Sequence, residues 1–508
     1  MKVKAGGKTA VTKNMIFVNY KGKCLKYLPI AKKLMVLGFL LVNYSMLLAQ
    51  SDTINGIWSL QQCIDRAFKE NITLNQSLLG SDINRLTLAQ SKANRLPNLN
   101  AGDTHINNWG RSLNPLDYQY INQSISYDIP TLTSNVTLYN GSLITNTIKQ
   151  NKLNYDAGNL DVEAEKNAIE LTVLADYMQV LLSYEQLDNT KAQVQVSLTQ
   201  VNETQKFVDA GKYPESNLLQ IKSQLAADKL SEVNAENQLQ LAKVALEQIM
   251  LLPVTDGFEV VKPDVSDIIQ PGIQATANVY KVAESFLPQI KSAALKTQSA
   301  MFGIKIARSQ EIPNLVLGGT LKTGYSPDSY NTATQTTYTE QPIGFLQSNN
   351  SDLVLGEVPN TIVDRQNYSF YNQLKNNFTQ QVSLTLTVSI FNNKLAKTAI
   401  EKAKVNTEIA QLNEEGTKVS VRQSVEQAVT DEKAAEKQYI ASKEAYASEE
   451  LTFHNMEIQF KAGKSDATDF LVEKNNDEKA LANLVLAKYN YIFKIKIVDF
   501  YLGKPIIF

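Results

Sequence analysis

Little in this chain is suited to chemistry: among 508 residues there are two cysteines, two histidines and two tryptophans. His105 and His454 lie far apart, and neither has a cysteine, histidine or acid at a metal-ligand spacing. There is no glycine-rich phosphate loop and no nucleophile elbow, so the enzyme classes built on them are excluded and no metal or cofactor is expected. Acidic pairs such as Glu449-Glu450 sit among lysines and read as a solvated helix face. Proline is missing from 131–213 and again from 360–504, and beyond Asn393 the glycines are Gly416, Gly463 and Gly503. Long stretches without proline and with so few glycines exclude a chain of short, turn-linked elements. After residue 50 no apolar run approaches the ~18–20 residues of a membrane helix. If this chain enters a bilayer, it does so with strands.

What is present begins with charge. Residues 1–33 carry nine lysines and no acid, and "LMVLGFLLVNYSMLLAQ" follows. A basic stretch, a short apolar core and a small residue, Ala49, before the cut identify residues 1–49 as a secretory signal peptide. Removing those nine lysines from 50 basic residues leaves 41 against 51 acids, a formal charge near −10 for the exported chain. Nucleic acid is excluded as a partner on that ground. Cys24 leaves with the signal, and Cys63 alone forms no internal disulfide and reads as a small packed residue. No cysteine stands where a lipid anchor would need one.

The remainder says the same thing twice. "VTLYNGSLITNTIKQNK" (136–152) aligns with "VSIFNNKLAKTAIEKAK" (388–404) at an offset of 252, and Ala210-Gly211-Lys212 returns as Ala462-Gly463-Lys464 at the same offset. Pro97 and Pro313, each followed by Asn-Leu, align at 216, which leaves 36 extra residues in the second half. They fall within 324–377, a polar stretch that reads as a long strand-connecting loop. Two repeats follow, 50–256 and 257–508, each with the order helix, two strands, long helical hairpin.

In each repeat a helix of about 37 residues, 59–95 or 275–311, is expected to end at the proline. Strands follow. "QVSLTLTVSIF" alternates cleanly, with Val382, Leu384, Leu386, Val388 and Ile390 on one face and hydroxyls on the other. "NLVLGGTLKTGY" and "SISYDI" alternate too, whereas "NLNAGDTHINNW" is assigned as a strand only by its place in the repeat. A helix over 142–210 would run about 100 Å at 1.5 Å per residue. Its Val173, Tyr177, Val180, Tyr184 and Leu187, then Val194, Leu198, Val201 and Val208, keep a heptad interrupted at Lys191 and Gln205. Helices supercoiling side by side are implied. Gly211 and Gly463 then stop the two long helices, and Pro214 or Ser465 starts the next. Beyond the cap the turns still agree: Ser216 with Thr468, and Leu219 with Leu471.

These residues, in this order, resemble the TolC family of outer-membrane channel proteins. The opening "WSLQQCIDRAFKENITLNQS", the Pro-Asn-Leu points, the Leu-Tyr-Asn-Gly and Ile-Phe-Asn-Asn strand ends, the paired Gly turns and the closing "AKYNYIFKIKIVDFYLGKPI" span essentially the whole exported chain. The resemblance implies a mainly α protein with a membrane β-barrel: a homotrimer, four strands from each protomer in one closed barrel, and a coiled-coil tunnel across the periplasm of a Gram-negative cell. It implies a passive conduit for efflux or secretion, opened by a periplasmic adaptor and fed by an inner-membrane pump. The Gly turns would then form the periplasmic mouth, with Gly211, Lys212, Ser216, Leu219, Gly463, Lys464, Thr468 and Leu471 as adaptor-contact positions. Asp469 matches an inward acidic ring, and Val472 stands where the family has a second acid. The family's gating tyrosine and basic residue correspond to Phe460 and Ser465, and the acid facing them to Asn217. The alternative is an exported periplasmic coiled-coil scaffold or binding protein without a pore, which the alternating strands disfavour. The cargo, whether drug, metal or protein, is left open.

Overall fold

The computed structural model describes residues 56–113, 118, 120–122, 124–254, 257–263, 275–346 and 349–506. The expected signal peptide, 1–49, and Cys24 lie outside the described residues. The chain divides into a small unit, described at 56–57 and 257–259, and a large one of 58–254 and 260–508, which carries all that follows.

Elements in chain order are β1 (Ile57–Trp58), α1 (Leu60–Glu70), α2 (Ile72–Ala93), β2 (Asn100–Asn108), β3 (Arg111–Leu113), β4 (Tyr120–Asn122), β5 (Ile125–Asn140), α3 (Leu143–Asp209) and α4 (Glu215–Ile249). The second half gives β6 (Glu259–Val260), α5 (Thr276–Phe286), α6 (Pro288–Arg308), β7 (Asn314–Lys322), β8 (Tyr330–Leu346), β9 (Asn349–Asn367), α7 (Phe370–Asn376), β10 (Thr379–Thr387), α8 (Leu395–Lys461) and α9 (Ala467–Tyr501).

Each helix expected to run 37 residues is instead two. Asn71 and Leu287 leave the helical region at φ −58° with ψ 125° and 126°. Asn71 Oδ1 accepts from Leu74 N–H, and Pro288 occupies the first turn of α6, so each break doubles as a start. The helix-length expectation missed these because the signals are a mid-pattern Asn and a Pro tolerated at a first turn.

The long helices are as long as the missing prolines allow. α3 and α8 each run 67 residues, and α4 and α9 each run 35. The residues before α3 and α8 are left-handed in pairs, Gly141 and Ser142, then Asn393 and Lys394. α3 packs on α4, α2 and α6, α8 packs on α9 and α6, and α3 also meets α9. The heptad residues Val173, Tyr177, Val180 and Leu187 are buried in these seams, as are Ile492 and Val498 from α9. Cys63 is fully buried, and burial pushes its thiol up to about 12, so it is a packing residue and no nucleophile.

Four strands form one antiparallel sheet in the order β10-β7-β5-β2. Its register places Val136 opposite Leu317, Leu317 opposite Leu384, and Leu315 opposite Leu386, so over β10, β7 and residues 132–136 of β5 one face is mainly apolar, whereas along β2 the same face carries Asp103, His105 and Asn107. The other face carries Thr133, Asn135, Thr320, Ser383 and Thr385. β2, the weakest strand in sequence terms, pairs fully with β5 from Asn100↔Thr133 to Asn108↔Ile125. β10 ends at Thr387, so Val388, Ile390 and Phe391 extend past the strand expected to hold them.

The stretch 324–377 corrects the expectation of a loop. It holds the β8–β9 hairpin, paired from Tyr330↔Asn367 to Leu346↔Asn349, and the short helix α7. Its threonine- and tyrosine-rich strands looked like a loop because the apolar alternation that marks a packed strand is absent along most of β8. The hairpin base is tied down by Gln373, whose side chain accepts from Ser326 N–H and donates to the carbonyls of Ser326 and Tyr368.

One buried acid reports on the packing of α8 against α9. Glu432 is 8% exposed, and its Oε2 has no hydrogen-bond partner among the described residues. Burial, with help from Asp499 and Glu436, pushes its carboxyl up to about 7, against the pull of Lys504 and Lys433. A raised folded-state pKa means that the native form holds the extra proton between the ordinary carboxylate range and about 7. Glu432's contribution to stability is therefore most favourable at low pH and becomes less so as pH rises through that window. Glu432→Gln is expected to remove this slope, gaining roughly 2–3 kcal/mol at pH 8 and nothing near pH 4, in denaturant melts followed by helical circular dichroism.

Candidate functional site

The two hairpin turns are built alike. Gly211 at φ +67° and Gly463 at φ +70° hold the left-handed cap. Lys212 N–H donates to Phe207 O at 2.8 Å and Lys464 N–H to Gln459 O at 2.9 Å, the six-residue closure that satisfies the last carbonyls of a helix. A Cβ on either glycine would meet nothing within 4 Å, so only backbone strain restricts those positions. α4 starts after Pro214 as expected. The cap of α9 is Asp466, not Ser465: its Oδ1 accepts from Asp469 N–H at 2.9 Å.

Most of the positions expected to face a partner are exposed: Gly211, Lys212, Ser216, Leu219, Gly463, Lys464 and Thr468. Leu219 is 59% exposed. Asp469 is exposed in the first turn of α9, with Val472 one turn on. Lys212 lies over the Phe207 ring at 5.5 Å. Asn217, Ser465 and Leu471 are half-buried, and Leu471 packs inward.

Phe460, expected among the pore residues, is 4% exposed within one copy, in a core with Ile221, Ala467 and Phe470. Its ring stacks on Phe470 at 4.6 Å and lies 5.4 Å from Tyr213. Tyr213 O–H donates to Phe460 O at 2.6 Å, tying the first turn to the end of α8. An apolar ring in that place packs rather than faces water, whereas a tyrosine would carry a hydroxyl to satisfy.

Behind this aromatic core lies a buried ionic cluster. Lys474 on α9 reaches Asp228 on α4 at 2.6 Å, Glu478 at 2.7 Å and Ser197 on α3 at 2.7 Å. Ser197 Oγ also donates to Asp228, and Gln224 joins Asp228 at 2.8 Å to Asn475 at 3.1 Å. Lys474 is 2% and Asp228 4% exposed. Burial holds the Glu478 carboxyl above its ordinary range, and Lys474 opposes that shift. Sequence reading missed this cluster, yet a signal was present. Leu218, Ile221 and Asp228, like Ala467, Phe470 and Lys474, fall on one helical face, so each helix puts a charge of opposite sign at a core position.

Buried ion pairs of this kind cost desolvation on both partners and are lost steeply when one partner goes. Lys474→Met is expected to lower unfolding stability by about 3–5 kcal/mol, with Asp228 left buried and unpaired. The double variant Lys474→Met/Asp228→Asn is expected to recover most of that loss. Denaturant unfolding of the two variants beside the parent checks both outcomes.

Comparison with known proteins agrees with this architecture. The model of the outer membrane efflux protein family matches residues 63–250 and 361–495, more than half of the chain. Among solved structures, the CmeC outer membrane channel of Campylobacter jejuni aligns with TM-score 0.66 at 17% identity, over 87% of this chain and 85% of that one. The MtrE outer membrane channel of Neisseria gonorrhoeae, in its open state, aligns with TM-score 0.66 at 17% identity, over 88% and 89%. The outer membrane protein VceC of Vibrio cholerae gives 0.65 at 15%, over 88% and 96%. At such identities the likeness speaks for the fold. A search of curated protein sequences finds no match. With more than half of its length matched by the family model, the chain belongs to the outer membrane efflux protein family.

Proposed function

We propose that three copies of this chain form an export conduit through the outer membrane of a Gram-negative cell. The observation that carries this reading is the four-stranded sheet, mainly apolar on one face over β10 and β7 and hydroxyl- and amide-rich on the other, with no partner strand on β10 or β2 among the described residues. No described helix is long and apolar enough to cross a membrane. Strands cross a bilayer only as a closed barrel, and four are too few to enclose a passage. Copies joined edge to edge would close it, with Leu384 and Leu386 toward lipid and Thr385 toward water.

Residues 50–256 and 257–508 are two repeats of one unit on this reading, supported by helices of equal length at an offset of 252. The long helices of three copies continue the barrel as a periplasmic tunnel. Exposed apolar residues on them, such as Leu230, Val233, Leu241 and Leu412, are then covered by neighbouring copies. The conduit is passive. It takes cargo from an inner-membrane pump through an adaptor docked on the turns at Gly211-Lys212 and Gly463-Lys464, with Ser216, Leu219, Thr468 and Leu471 as flanking contacts. Asp469 forms an acidic ring at that mouth, with Asn217 and Ser465 beside it.

Reconstituted into planar bilayers, the purified chain is expected to be trimeric and to conduct. A monodisperse monomer without conductance would instead favour a scaffold. Three Asp469 carboxylates near one axis attract cations. Multivalent cations should block from the periplasmic side, and Asp469→Asn should lose that block while trimer yield is unchanged. Persistent block in the variant would remove Asp469 from the mouth. Lys212→Glu and Lys464→Glu are expected to abolish adaptor crosslinking and export in cells while leaving trimer yield unaltered.

A further inference from the structure

The β8–β9 hairpin is the one large element that the conduit reading does not use. Its strands of 17 and 19 residues pair with each other and with no other described strand. At ~3.3 Å per residue it projects roughly 55 Å, and a lone two-stranded hairpin is marginal in water. Yet its base is rigidly fixed. Besides the Gln373 bonds, Asp328 accepts from Ser126 N–H at 2.9 Å and Ser326 Oγ donates to Ser126 O at 2.6 Å, both at Ser126 on the inner strand β5.

The register sorts its tip into two apolar faces. Phe345 pairs with Leu353 and Pro342 with Leu355, which places these four on one face. Phe345, Leu353 and Leu355 are 62%, 53% and 56% exposed there. The opposite face carries Val354 and also Ile343, which fills the space where a side chain on Gly356 would stand. Ile343 is 63% exposed. Below the tip, Glu340 stands directly opposite Glu357, a like-charged pair that bounds the apolar region on the first face.

We propose that the tips of three hairpins pack against one another in a ring above the barrel, the Phe345 face of one copy against the Ile343–Val354 face of the next. This rests on the trimeric reading above. A second copy is the occupant because a single docked partner buries one face, whereas a closed head-to-tail ring gives every hairpin a different neighbour on each side. The chain also runs from β9 through α7 straight into β10, the sheet edge that a neighbouring copy must pair. Hairpins anchored on the same sheet, at β5, are brought together by the same closure. The ring makes a collar on the outer side of the membrane, continuous with the protomer interface.

The test uses the purified exported chain, from which Cys24 is lost with the signal peptide and in which Cys63 is fully buried and silent. Phe345→Cys/Val354→Cys is treated at low protein concentration with a short bis-maleimide. The expected product is a ladder up to covalent trimer. Phe345→Cys alone, with one reactive thiol per copy, can give no more than dimer. A second variant, Phe345→Glu/Leu355→Glu, is expected to lower the dissociation temperature of the trimer by at least about 5 °C while pore conductance persists. A double-cysteine chain that stays uncrosslinked, although light scattering shows it trimeric, overturns the collar and leaves the conduit standing. A parent chain that is monomeric by light scattering overturns both. Crosslinking in whole cells to a different protein, with no ladder between copies, assigns the tip to another partner and overturns the collar too.

Discussion

Backbone hydrogen bonding at the two edges of a four-stranded sheet governs this molecule. β5 and β7 satisfy each other, but β10 and β2 each present a row of amides and carbonyls that no other described strand pairs. In hydrocarbon an unpaired peptide group costs several kcal/mol, and a row of them is prohibitive. A sheet with this alternation belongs in a bilayer only if further copies supply the missing partners. Copy number, barrel and tunnel all descend from that requirement on the reading proposed here.

The helical part answers a different demand. Helices of 67 residues make far more surface than one chain can cover, so many apolar side chains remain exposed while the seams between neighbours are filled. Near the turns the packing changes character. Stacked aromatics around Phe460 give way to Lys474, Asp228 and Ser197, held with almost no solvent. Such a cluster adds little net stability but penalises any arrangement in which its members part. With Tyr213 bonded to Phe460 O, it makes the ends of the two hairpins within one chain a single block.

Period and punctuation made most of the fold legible. The heptads of α3, the proline-free stretches, the Gly turns and the alternation of β10 are properties of local sequence, and each has its element in the structure. β2 was readable only by analogy, because its polar residues hide the alternation and its place is fixed by pairing with β5. The breaks at Asn71 and Leu287 and the β8–β9 hairpin were missed for related reasons. A helix break costs one residue, and a hairpin whose stem is threonine, asparagine and glutamine carries no apolar period. At the turns, exposure of Gly211, Lys212, Gly463 and Lys464 followed from the caps. The burial of Phe460 and the meeting of Lys474 with Asp228 did not, since both depend on a residue some 250 positions away.

The central claim is that the open edges of the sheet are closed by other copies of the same chain. A cryo-electron reconstruction of the purified protein in lipid nanodiscs tests it directly. The account predicts a three-fold particle in which β10 of one copy is hydrogen-bonded to β2 of the next along its length. A particle in which either edge is unpaired within the bilayer, or is paired by a different polypeptide, would contradict it.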